Sequence, residues 1–196
     1  MKLIIRGRKM SFGMIVLLII IAAVGYLIMA YNRFASLRAG INASWSDIDV
    51  QLKRRYDLIP ALVDTVRGYK DYEAETLENV IKARQQGVSA GTMDEKAAAA
   101  NMISGALGKM FALAEAYPDL KANTNFLKLQ DELSNLEDAI QSARRYYNAI
   151  VRDYNFRLEA FPDVFIAQRF NYTPRDYFEL DASEAAEVKK MPKIDL

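Results

Sequence analysis

The residue types best suited to chemistry gather in one stretch, SWSDIDVQLKRRYDLIP, where Asp47, Asp49, Lys53, Arg54, Arg55 and Asp57 surround Trp45. General acid–base catalysis asks for side chains that converge on one reacting group. On a helix, Asp47 and Asp49 stand two residues apart and point to different faces, so they make a poor catalytic pair. Asp49 and Lys53 have the favourable i to i+4 order and read as a surface ion pair worth a few tenths of a kcal/mol. Arg54 and Arg55 are spaced to reach carboxylates such as Glu132, Glu137 or Asp138 on another helix. The stretch therefore reads as a pairing surface, within a bundle or toward a partner protein.

A second constellation is repeated. Arg145-Tyr146-Tyr147-Asn148 and Arg152-Asp153-Tyr154-Asn155 form an R-x-Y-N motif at seven-residue spacing. Arg145 and Arg152, Tyr147 and Tyr154, and Asn148 and Asn155 thus recur on the same three faces of a helix. Such a repeat suits structure more than catalysis. The two tyrosines fall in an apolar seam, and their hydroxyls need partners, for which a polar residue of a facing helix is expected to serve.

The chain has no histidine and no cysteine. That removes thiol nucleophiles, disulfides, imidazole metal sites and every His-dependent dyad or triad, including the Glu-x-x-His pairs of di-iron bundles. No phosphate-cradling glycine loop or serine elbow occurs, since Gly105 and Gly108 sit in an alanine-rich helix where small residues favour close packing. The net charge of +1 gives no sign of a nucleic-acid partner. No catalytic residue, metal or cofactor is expected.

The elements that must position these residues are helical. Leu37, Ile41, Trp45, Ile48, Leu52, Tyr56, Ile59, Val63 and Val66 follow steps of four, four and three, an eleven-residue repeat close to the natural helix period. Pro60 is expected to kink or divide this helix, because it lacks an N–H and crowds the carbonyl four residues back. Asp71 to Gln86 carries Leu77, Val80 and Ile81 at helical spacing. Gly87 to Thr92 reads as a flexible connection. Met93 to Tyr117 is a further helix closed by Pro118. Phe126, Leu133, Ile140, Tyr147, Tyr154 and Phe161 then recur every seven residues, with Leu129, Leu136, Ala143 and Ile150 between them, an a/d heptad seam ended by Pro162. In VFIAQRF, Phe165, Ile166 and Phe170 suit docking on the bundle.

Ahead of all this, Met10 to Asn32 carries no charge. A bilayer core of about 30 Å takes roughly 20 apolar residues in a helix, which Phe12 to Ala30 supplies. The run is too long for a signal-peptide core, and Ile28-Met29-Ala30 fits a cleavage site poorly. Lys2, Arg6, Arg8 and Lys9 precede it, whereas Arg33 and Arg38 follow, so the positive-inside rule keeps the N-terminus cytoplasmic and sends the domain outside. With no proline in between, the span and the stripe are expected to form one helix from Ser11 to Ile59.

The predicted architecture is all-α: a transmembrane helix followed by an elongated antiparallel, coiled-coil-like bundle of long helices. Its divisions are a basic N-terminus at 1–9, a signal-anchor at 10–32, a bundle domain at 33–180 and a mobile tail at 181–196. Three blocks, Tyr31 to Arg84, Ala114 to Pro162 and the aromatic ending from Phe170 to Phe178, make the chain resemble the LemA family of bacterial membrane proteins. The resemblance rests on fixed spacings of Trp, Pro and Tyr-Asn and on YPDLKAN. It implies a membrane anchor and an antiparallel helical bundle, and it implies little about chemistry, since the family has no assigned catalytic activity. One branch of that family is associated with magnetosome membranes, and others occur near membrane proteases. The expected function is a non-enzymatic scaffold in the bacterial inner membrane. It would contact the lipid bilayer through 10–32 and self-associate as a homo-oligomer. The alternative is an adaptor for another envelope protein such as a protease or transporter.

Overall fold

Proline at position 60 ought to break a helix, yet α1 runs as one α-helix from Phe12 to Arg67 with Pro60 inside it. The missing Pro60 N–H leaves the carbonyl of Tyr56 without its helical partner. The Arg84 side chain supplies a replacement, its Nε donating to that carbonyl at 2.7 Å. The predicted division at Pro60 is thereby corrected: a cation from the next helix completes the ladder, and Pro60 itself faces solvent.

The computed structural model describes residues 12–68 and 73–178. The basic cluster of Lys2, Arg6, Arg8 and Lys9 and the tail at 181–196 lie outside the described residues. After α1 come α2 (Ala74–Ser89), α3 (Met93–Ala114), the single turn α4 (Pro118–Lys121), α5 (Thr124–Glu159) and α6 (Asp163–Arg169). Among the described residues there is no strand, so the all-α class holds.

The chain divides into two compact units, Met1–Gly40 with Arg152–Arg175, and Ile41–Val151 with Asp176–Leu196. In the second unit, α1, α2, α3 and α5 alternate in direction. Arg84 of α2 meets Tyr56 of α1, Asn101 of α3 meets Arg144 of α5, and Phe111 packs on Phe126 with ring centroids 6.2 Å apart. The buried residues follow the stripes: Ile41, Ile48, Leu52 and Ile59 from α1, Ile103, Leu107 and Met110 from α3, and Phe126, Leu133, Ile140 and Tyr147 from α5. Burying each such side chain contributes about 1.5–3 kcal/mol.

Helix ends are set by local chemistry. Thr92 begins α3 as a capping box, its hydroxyl accepting from the Glu95 N–H at 3.2 Å while the Glu95 carboxylate accepts from the Gly91 and Thr92 N–H groups. Those backbone bonds, Gly91 first, hold the Glu95 carboxyl below its ordinary pKa. Asn123 caps α5 through bonds from the N–H groups of Asn125 and Phe126.

Three expectations are corrected here. Gly87 is not part of a flexible connection, because α2 continues to Ser89. It is a contact glycine: a Cβ there would lie 2.7 Å from the Tyr56 ring. The α5 seam is not a strict a/d pair either. Its a-type line is buried from Phe126 to Tyr154, but the companion line shifts from Leu136 to Arg144 and Val151, leaving Ala143 and Ile150 half-buried. A straight helix drifts about 20° per heptad, which moves the buried face from i+3 to i+4 positions. Finally, Phe161 is 81% exposed and stands outside the seam.

In the first unit, Phe34 of α1 meets Tyr154 of α5 edge-on at 5.9 Å and Tyr172 at 4.9 Å. Asn171 closes α6 in the left-handed region, with φ 52°, where asparagine is better tolerated than most residues. The Tyr172 N–H reaches the Ala167 carbonyl at 2.9 Å, and the Asn171 N–H reaches that of Gln168 at 3.3 Å, a Schellman closure. The chain leaves it with no helix or turn from Tyr172 to Phe178. Ile166 and Ala167 of α6 are buried, and the Phe170 ring, though partly exposed, packs 5.0 Å from Tyr31 of α1, so of the three residues expected to dock Phe165 alone faces outward.

Candidate functional site

The polar residues of the second unit form two nodes. The first is built on Arg55, which the α1 stripe carries into the interior with no exposed surface. A buried guanidinium requires an opposite charge and acceptors for its N–H groups. Its Nη1 pairs with Glu137 of α5 and donates to Ser104 Oγ of α3 at 3.0 Å, while Nη2 donates to the Ala100 carbonyl at 3.0 Å. The Ser104 hydroxyl lies 2.8 Å from Glu137 Oε1 and 3.0 Å from the Ala100 carbonyl. Three helices are thus cross-linked at one residue. The Glu137 side chain keeps 28% of its surface exposed and opens on a cleft of about 390 Å³ floored by Ser104 and Gly108.

The second node receives the extended end of the described chain. Asn148 makes two hydrogen bonds to one residue: its Nδ2 donates to the Phe178 carbonyl at 3.0 Å, and its Oδ1 accepts from the Phe178 N–H at 2.9 Å. The Tyr147 hydroxyl donates to the Asp176 carbonyl at 3.0 Å. The Phe178 ring is fully buried, 5.8 Å from Trp45 on one side and 4.4 Å from the Arg144 guanidinium on another. Arg144 is held in turn by Asn101, whose Oδ1 accepts from Nη2 at 2.8 Å. Trp45 also meets the Tyr147 ring at 6.0 Å. Backbone bonds fix the segment's position, and the aromatic socket reads its side chain.

The first unit holds the other half of the repeat. Asn155 grips Arg175 as Asn148 grips Phe178, donating to its carbonyl at 2.8 Å and accepting from its N–H at 2.9 Å. Tyr154 is buried against Phe34, and burial pushes its hydroxyl pKa up.

The sequence-derived residues therefore separate. Trp45, Tyr147 and Asn148 share the Phe178 socket, whereas Arg55 belongs to the three-helix node. Asp49 pairs with Lys96 of α3 and not with Lys53, because Lys96 Nζ also lies 5.7 Å from the Trp45 ring centre and gains both contacts. Asp47, Arg54, Asp57, Arg145 and Arg152 are exposed, the last contacting its neighbour Asp153 at 3.7 Å. The Tyr147 hydroxyl finds two acceptors, the Asp176 carbonyl of the extended segment at 3.0 Å and, on the facing helix α3, Met93 Sδ at 3.4 Å, so the facing helix supplies only the weaker one. Sequence reasoning missed Arg144 and Phe178 as partners. The signal for Arg144 was its place four residues after Ile140 and three before Tyr147, on the buried face. Among the described residues no three Asp or Glu side chains gather as a metal site would need.

Chemically, these arrangements hold chain to chain. A long apolar helix and a helical bundle knit by polar nodes define a membrane-associated helical protein. The LemA family model matches residues 44–195, and the chain belongs to the LemA family. It is 31% identical to Protein LemA of Metamycoplasma hominis over 76% of this chain and 66% of that protein. It is 23% identical to Magnetosome protein MamQ 2 of Paramagnetospirillum magneticum, over 89% of this chain and 74% of that protein. Magnetosome protein MamQ of Magnetospirillum gryphiswaldense is likewise 23% identical, over 88% of this chain and 73% of its own length. None of these names denotes an enzyme.

Proposed function

We propose that this chain is a single-pass, membrane-anchored helical scaffold that self-assembles at the bacterial inner membrane and catalyses no reaction. The carrying observation is the front of α1. From Phe12 onward it is long, strongly apolar and left unburied by the rest of the protein, a surface suited to lipid. α3 is also long and apolar enough to cross a membrane, but Ala97, Ala100, Ile103, Leu107, Met110 and Ala114 bury its apolar face. The charge bias around Phe12–Ala30 favours a cytoplasmic N-terminus and an extracytoplasmic domain. Arg55, Tyr147, Asn148 and Asn155 are engaged in holding helices and the extended segment, which supports a structural role.

A second reading, an adaptor for another envelope protein, draws on a charged groove of about 590 Å³ on the second unit, lined by Arg54, Asp57, Glu132 and Asn135 among others. The test of the first reading is the mass of the full-length protein in mild detergent. A defined assembly larger than one chain is the expected result, and a monomer at high protein density would overturn it. Crosslinking in cells with Arg54→Glu tests the second: a heterologous product should vanish while the fold persists. Arg55, being buried, is unsuited to that experiment.

A further inference from the structure

The first unit ties α6 to the apolar run. The Tyr26 hydroxyl donates to Asp163 Oδ1, at the first residue of α6, and Asp163 Oδ2 accepts from Arg157 Nη1 at 2.8 Å. Asp163 is 6% exposed, so this is a built, buried junction. Tyr26 sits one helical turn short of Ala30, which places it about 6 Å inside the end of the apolar run. Val24, Leu27, Ile28 and Met29 around it are all exposed. The start of α6 is therefore held against the end of the apolar run.

The exposed face of α6 and its flanks suits that solvent. Phe161 is 81% and Phe165 63% exposed, with their rings 5.9 Å apart, while Ile166 and Ala167 form the buried side. Phe156 and Phe170 are exposed as well. Phenylalanine rings left bare in water are costly, whereas on a helix lying in the membrane interface Trp, Phe and Leu form the face that enters the headgroup–acyl boundary. Arg33, Arg38 and Arg169 are exposed in the same unit, the complement of anionic headgroups.

We propose that α6 is a second membrane contact, an interfacial foot whose Phe161 and Phe165 enter the headgroup–acyl boundary of the leaflet where the anchor ends. The proposal rests on the reading that Phe12–Ala30 spans the bilayer. The Tyr26–Asp163–Arg157 junction sets the depth, and its mutual pairing offsets the cost of placing a carboxylate and a guanidinium there. The lipid-facing surface thus continues from α1 onto α6.

The test uses the full-length chain in vesicles of phosphatidylcholine and phosphatidylglycerol, with Trp45→Phe as background and single reporters Phe165→Trp, Phe161→Trp and Leu18→Trp. All three positions are exposed, so the reporters leave the buried core untouched. Brominated phosphatidylcholine should quench Phe165→Trp and Phe161→Trp emission by about half, with acrylamide quenching reduced to match. If Leu18→Trp is quenched and both α6 reporters are not, the foot is overturned while the anchor stands. If Leu18→Trp also escapes quenching, the anchor reading itself fails. Reporters shielded from both quenchers would mean that protein covers α6, which equally overturns a lipid contact.

Discussion

Asn148 and Asn155 carry out the same act in different surroundings. Each grips the N–H and carbonyl of one residue of the extended segment, with all four distances between 2.8 and 3.0 Å. The residue held by Asn148 is Phe178, whose ring has no exposed surface, whereas Arg175, held by Asn155, is exposed. Water competes for the second pair and has little access to the first. A satisfied hydrogen bond gains little in water, while a buried donor left unsatisfied costs about 1–3 kcal/mol. The repeat in sequence supplies equal geometry twice; burial decides how much each copy is worth.

Removing the buried ring is the strongest way to exploit this difference. Phe178→Ala should destabilise the protein by about 3–5 kcal/mol in chemical denaturation, the usual cost of deleting a core phenylalanine. Trp45 is the single tryptophan, so its emission should shift to the red as the socket opens. Arg175→Ala should change stability by under about 0.5 kcal/mol, as exposed substitutions do. A loss at Phe178 as small as that at Arg175 would show that the ring contributes little and that the backbone grip, which neither substitution removes, carries the energy.

The ion pairs offer the same contrast. Glu137→Ala strands the guanidinium of Arg55, which has no exposed surface, and should cost about 3 kcal/mol, the low end for a broken buried pair because Glu137 is partly solvated. Replacing both, Arg55→Met with Glu137→Leu, should recover most of that loss. Glu115→Ala breaks an ion pair with Lys121 whose side chains are more than half exposed, and should cost under about 0.5 kcal/mol. Denaturation midpoints of these variants decide whether burial sets the scale.

Between these sit the asparagines themselves. Asn148→Ala should cost about 1–3 kcal/mol and Asn155→Ala about 0.5 kcal/mol. Equal values would break the comparison directly. Hydrogen exchange at the Phe178 and Arg175 amides gives a site-specific check, with Phe178 the slower.

Much of the architecture was legible in the sequence because helices advertise their buried faces by period. The α1 stripe and the Pro118 boundary both follow from local rules. What was not legible depended on partners distant in sequence. Pro60 stays within α1 because Arg84 supplies a donor, and Gly87 stays within α2 because Tyr56 presses on it; neither fact is visible from one residue's propensity. The Asp49–Lys53 spacing was correct for a helix but lost to Lys96, which gained a ring contact besides. Tyr147 and Asn148 were recognisable as a repeat, yet their task could not be read, since the segment they hold has no periodic signature of its own.

Tyr56 is the converse case, in which the substitution is expected to stabilise. Its hydroxyl is buried without a hydrogen-bond partner, and burial pushes its pKa up. If burial raises the value of satisfied polar groups, it must equally penalise this one. Tyr56→Phe should therefore stabilise the protein by about 1 kcal/mol at neutral pH. The sign of the pH dependence follows from the raised pKa. The folded state binds the phenolic proton more tightly than the unfolded chain, so the stability it confers is complete below the ordinary value near pH 10 and falls as pH rises through the folded value. Tyr56→Phe should flatten that alkaline decline. A variant less stable than the parent, with the decline unchanged, would mean that the hydroxyl has found a partner and that burial alone does not set the worth of a polar group here.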